Sequence, residues 1–195
     1  PREQVDEVVR LVNEQFPGTP VLRVSAATGE GFDGVCELLD QTGAFGQKIL
    51  DIDYDIYAEG EAVLGWLNAT LTLKGNSVDW DRFAENLLNG LSRRFDDLNS
   101  AVGHVKLILE AGNQFAIGNL TGKRETLSIR GSAGVGSEAK MTLNARVQME
   151  PEKLENIALE EISNACGKDI TSNILALKCL SPGRPNPTHR YDHVV

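Results

Sequence analysis

Glu61-Ala62-Val63-Leu64-Gly65-Trp66-Leu67-Asn68-Ala69-Thr70-Leu71-Thr72-Leu73 is the stretch on which the fold turns. Val63, Leu67, Ala69, Leu71 and Leu73 fall on one side of an extended chain, and Asn68, Thr70 and Thr72 on the other. Side chains alternate along a strand, so this period of two predicts a long strand with one apolar and one wet face, as antiparallel sheets have. Gly65 lets such a strand bend.

The pattern continues toward the C-terminus. Asp79 is placed to cap a helix whose apolar stripe is Trp80, Phe83, Ala84, Leu87, Leu88, Leu91, Phe95 and Leu98. Val105, Leu107 and Leu109 alternate with Lys106 and Glu110, which reads as a second strand. Residues 115–120, 127–129 and 141–149 supply further strands, and the last alternates Met141, Leu143, Ala145, Val147 and Met149 with polar residues. Pro151 opens a second helix carrying Leu154, Ala158, Ile162 and Ala165, Gly167 closes it, and 174–180 can form a last strand. The order β-α-β-β(β)-α-β predicts an α+β domain, an antiparallel sheet with two helices on one face, ferredoxin-like with an added hairpin.

Toward the N-terminus the pattern changes. Val5, Val8, Val9, Val12 and Phe16 recur at helical spacing until Pro17-Gly18. Val21 to Val24 reads as a short buried strand, 25–31 as a loop, and Phe32, Val35, Leu38 and Leu39 as a second helix. Thr42-Gly43-Ala44 with Gly46 marks a boundary. Helix, strand, loop, helix is one repeat of an α/β sheet, and one strand cannot cover both its faces. Four segments are therefore expected: 1–48, the terminal remnant of an α/β domain; 49–60, an acidic linker; 61–181, the antiparallel domain; and 182–195, a Pro-rich tail.

Composition narrows the function classes. Nineteen Lys and Arg against 28 Asp and Glu give a net charge of −9, which argues against a surface built to wrap nucleic acid or bind anionic membrane. Three cysteines, widely spaced, read as reduced thiols of a cytoplasmic protein rather than as a disulfide framework. Cys36 and Cys166 share helical faces with apolar residues and read as small core residues. His189 and His193, with Cys179 upstream, are too few and too Pro-interrupted for a zinc site. Asp51-Ile52-Asp53-Tyr54-Asp55 lacks the glycine and closing glutamate of a calcium loop. The Gly/Ser-rich run 131–137 reads as a flexible hairpin loop.

Gly29-Glu30-Gly31-Phe32-Asp33-Gly34 satisfies G-x-G-x-x-G, but Ser25 to Thr28 intervene between strand and first glycine, which counts against a dinucleotide site. Val24-Ser25-Ala26-Ala27-Thr28-Gly29-Glu30-Gly31-Phe32 instead resembles the last guanine-recognition loop of P-loop GTPases, and is particularly similar to that of CobW-like GTPases. Residues 1–45 resemble the end of that GTPase domain and 60–168 the smaller C-terminal domain, the latter mainly in element order. The resemblance implies that main-chain amides of Ser25, Ala26 and Ala27 face the guanine oxygen. It also implies a role in metal delivery or in cobalamin and metalloenzyme maturation, with the rest of the GTPase chain, a metalloprotein or corrinoid-related client, or a further copy as partners.

The departures from the family pattern are specific. No G-x-x-x-x-G-K-[ST] is present, since Gly118 to Lys123 is one residue short and Arg124 follows. No Asn-Lys-x-Asp or Cys-x-Cys-Cys occurs either. GTP and magnesium, and any zinc or cobalt of the parent protein, are thus expected to depend on sequence upstream of Pro1, and this chain by itself is expected to be inactive, with no catalytic or metal-ligating residue assigned. The reading from a different class is a standalone ferredoxin-like protein-interaction module that binds no nucleotide.

Overall fold

The computed structural model describes residues 2–43, 52–122, 127–186 and 188–189. Ala44, Gly46, Asp51, Lys123, Arg124 and His193, invoked above, lie outside the described residues. The chain divides into two compact units, the first within Pro1–Leu50 and the second within Asp51–Arg190. No helix among the described residues is long and apolar enough to cross a membrane.

In the first unit, α1 (Arg2–Gln15) carries an i,i+3 ion pair between Arg10 and Glu7, and α2 (Phe32–Leu39) starts at Gly31. Val9, Val12, Val21, Val35 and Leu38 turn partly inward, yet no described residue of this unit is fully buried. Val5, Val8, Leu11, Phe16, Leu22 and Val24 stay exposed. Residues 21–24 have no ladder partner among the described residues, so the buried strand expected there is absent: a strand is defined by the neighbour it bonds to. Cys36 is exposed rather than a core residue, as are Phe32 and Leu39 on the α2 face it shares, because no described residue of the unit buries that face.

The second unit is α+β. It comprises α3 (Tyr54–Ala62), β1 (Gly65–Asp79), α4 (Trp80–Asp97), β2 (Val102–Ala111), β3 (Gln114–Leu120), β4 (Ser128–Ser132), β5 (Val135–Val147), α5 (Pro151–Cys166) and β6 (Ile170–Leu180). The six strands form one open antiparallel sheet in the order β4-β3-β2-β5-β1-β6. The alternating apolar residues of β1, β2 and β5 are buried as one core with the stripes of α4 and α5. Asp79 caps α4 as its position requires, accepting from the Arg82 N–H at 3.0 Å. Asn99, at φ 53°, ends that helix in the left-handed conformation Asn tolerates.

Several boundaries differ from the sequence reading. Residues 61–64 belong to the end of α3 and a turn, not to β1, because Asp53 Oδ1 caps a helix by accepting from the Asp55 and Ile56 N–H groups. The described part of the expected 49–60 linker is therefore partly helical, and Val63 is exposed. Leu98 sits past the last turn of α4 and is 41% exposed, outside the stripe. Residues 131–137 are not a loop: 131–132 end β4, 135–137 begin β5, and only Ala133-Gly134 link them.

That link is short for what it joins. In a flat sheet β4 and β5 would stand about 14 Å apart, three strand spacings, more than two linking residues comfortably cross. The strand ends converge at the start of α4, where Asp81 accepts from the Ala133 N–H at 2.7 Å and from the Ser132 hydroxyl, and Gly134 O accepts from the Trp80 N–H. Ala133 is buried there.

Candidate functional site

The loop from Ser25 to Gly31 is cinched by its own main chain. Ser25 N–H donates to Glu30 O at 2.9 Å, and Gly29 N–H donates to Ser25 O at 2.8 Å. Side chains add two longer bonds, Thr28 N–H to Ser25 Oγ and Glu30 N–H to Thr28 Oγ1, both 3.3 Å. Gly31 is required where it stands: φ is +80°, and a Cβ would lie 2.0 Å from Arg23 O. Gly34, the third glycine of the G-x-G-x-x-G pattern, packs on Leu22. The parallel sheet which a dinucleotide site needs downstream is absent from the described residues, since α3 occupies 54–62 and β1 pairs antiparallel.

Of the three residues assigned to guanine, the loop separates two from one. Ser25 is half-buried and its N–H is already used, so its part is to fix the turn. Ala26 and Ala27 are exposed, and their N–H groups have no acceptor among the described residues. Two adjacent free donors beside small side chains can meet a carbonyl oxygen on a planar ligand. Next to the loop is a cavity of about 600 Å³ lined by Val5, Asp6, Arg23, Val24, Ser25 and Glu30, with the Arg23–Asp6 ion pair at 2.6 Å across it. Arg23, the one cation in its lining, is engaged by Asp6, so the cavity offers no cationic cradle for a triphosphate.

No described group of three or more His, Cys, Asp or Glu side chains could hold a metal ion. Cys166 is buried, as its helical face predicts, and burial raises its thiol pKa. Burial also raises that of Cys179, with Glu155 adding to the effect, and its Sγ lies 3.1 Å from Pro151 O. Gly118, Asn119 and Leu120, the first half of the P-loop-like run, are the end of β3; a Cβ on Gly118 would stand 2.3 Å from Leu88 Cδ1.

The sequence reading passed over the wet face of the sheet. Arg146 stacks 3.8 Å above the Trp66 ring, and His104 lies opposite Arg146 across β2 and β5. Burial first, then Lys106 and Arg146, hold the His104 imidazole below its ordinary pKa. Burial lowers the Arg146 pKa, which the Glu61 charge partly offsets. The signal was present in the polar half of each alternation, Asn68-x-Thr70-x-Thr72 and Thr142-x-Asn144-x-Arg146, which had been read only as the face turned to water. Neither a family model, nor a curated protein, nor a solved structure matches this chain.

Proposed function

We propose that this chain is the C-terminal portion of a CobW-like GTP-binding protein acting in metal delivery or in cobalamin and metalloenzyme maturation. In this reading the first unit supplies the guanine-base loop and the second engages a client. The observation that carries it is the pair of exposed, unengaged amides at Ala26 and Ala27 on a loop closed by Ser25 and by two left-handed glycines. The apolar groove of about 430 Å³ along Val5, Val8, Val9, Val21, Leu22 and Val24 supports it too, as the surface where further strands of an α/β sheet would lie. For the second unit, the order β6-β1-β5-β2, with α4 and α5 in the connections, supports a ferredoxin-like reading in which β3 and β4 are added at one edge.

The test has two parts. The coding sequence ahead of Pro1 should carry G-x-x-x-x-G-K-[ST] and Asn-Lys-x-Asp in frame; a start codon directly before Pro1 refutes the reading. In the longer protein, Ala26→Pro or Ala27→Pro removes one donor and should weaken guanine over adenine nucleotide by about tenfold, the worth of one hydrogen bond. The 195-residue chain alone should bind no GTP measurable by calorimetry. The alternative, a standalone ferredoxin-like interaction module without nucleotide binding, draws on a different observation. The core of the second unit is closed by its own residues, from Leu67 to Cys166.

A further inference from the structure

The sheet face of the second unit turned away from α4 and α5 carries an excess of positive charge. Between Trp66 and Lys74 of β1, and on the strands paired outward from it, this face carries Lys74, Lys106, Arg130, Lys140, Arg146 and Lys178 against Glu110 and Glu138. This is the reverse of the chain's net charge of −9. At one end the charges are matched, for Lys74 pairs with Glu138 at 3.4 Å and Lys140 stands opposite Glu110. At the other end they are not. Lys106 and Lys178 have no ion-pair partner among the described residues, and Arg146 is held by the Trp66 ring, with the Glu61 charge acting on it but no ion pair formed among the described residues.

These unmatched cations belong to a regular row. Lys106, Asn144, Asn68 and Lys178 stand opposite one another on β2, β5, β1 and β6. The two lysines are thus three strand spacings apart, about 14 Å, with two carboxamides between them. Beside the carboxamides lies a shallow depression of about 220 Å³, floored by Thr70, Thr142 and Ala176. We propose that this row binds an extended acidic segment of a protein partner, its carboxylates on Lys106 and Lys178 and its peptide groups on Asn68 and Asn144. In an extended chain, carboxylates four residues apart span about 14 Å, the separation of the lysines. A single-stranded nucleic acid would meet the same charge, but it needs bare aromatic faces for its bases. Trp66 is covered by Arg146, and Phe115 stands opposite Glu110, two side-chain rows away.

The inference rests on reading the second unit as a client-binding module and is indifferent to the nucleotide loop. Its test is a titration of the ¹⁵N-labelled chain, followed by NMR, with a nine-residue Ser/Thr peptide carrying Glu at its third and seventh positions. The Gln counterpart and a nine-residue oligothymidylate serve as comparisons. Expected are shifts of the Asn68 and Asn144 carboxamides, affinity about tenfold better for Glu than for Gln, and weakening by salt. Lys106→Glu with Lys178→Glu should abolish the shifts, and Lys153→Glu on α5 should leave them. Equal affinity for the Glu and Gln peptides overturns the proposal even if the double variant fails to fold. So does tighter binding of the oligothymidylate, or a self-association that the double variant dissolves. Shifts confined to residues 181–189 overturn it as well, yet leave the client reading standing.

Discussion

Gly118 lies in β3 under α4, where an added methyl would come within 2.3 Å of Leu88 Cδ1. Leu88 is fully buried and would have to repack within the core, so Gly118→Ala should destabilise the second unit by about 1–3 kcal/mol. A lower urea midpoint at unchanged slope would register this. His104 makes a pH prediction. Its native pKa lies below the ordinary 6.5, so near that value the unfolded chain binds more protons than the native one. The stability it confers is complete above 6.5 and is lost as pH falls from there through the native value. His104→Gln should flatten the stability profile in that window. Single residues of this kind are partly legible: the alternation that puts Lys106 and Glu110 on the polar face of β2 puts His104 there too. Its depression was not legible, because burial, its main cause, is set by sheet packing, and Arg146, which adds to it, comes from a strand 42 positions later that only the register brings opposite.

Among elements, α4 was read almost completely, for the reason that its signals are local. A capping aspartate and apolar residues at 3.6-residue spacing suffice, and tertiary structure did not override them. The β4–β5 link was misread because its composition, Gly131 to Ser137, says turn, while the structure is set by α4. Asp81 takes the Ala133 N–H and the Ser132 hydroxyl, bonds across more than fifty residues that no local pattern announces. Asp81→Ala should therefore cost about 1–3 kcal/mol, more than an exposed first-turn acid would. Urea melts of Asp81→Ala and of Glu152→Ala, an exposed acid in the first turn of α5, make the comparison. In unit 1 the Ser25–Gly31 loop was legible as a turn, because its glycines and hydroxyls act within seven residues. Which amides remain unengaged was not, since that depends on the closure of Ser25 on Glu30.

At the scale of the whole chain, the two units differ in what holds them. The second has a core of fully buried side chains drawn from four strands and two helices, while the described part of the first has none. Free energy of opening follows buried apolar contact, so hydrogen exchange should divide the chain sharply. Amides of β1, β2 and β5 should be protected by several orders of magnitude more than those of α1 and α2. Equal protection in both would mean that the first unit is stabilised by something other than its own packing. The division itself was legible as a change from α/β to antiparallel patterning near residue 50, because each period is a local property. The mixed-in helix α3 was not, since its acidic residues look like a solvated connector and only the Asp53 cap distinguishes it.

The chain's two tryptophans, Trp66 and Trp80, both belong to the second unit, one beneath a guanidinium and one sealed in the core. Intrinsic fluorescence therefore monitors a single half of the molecule. A smooth emission melt would say nothing about residues 2–43, whose loosening has to be followed with a reporter placed there, such as a dye on the exposed thiol of Cys36.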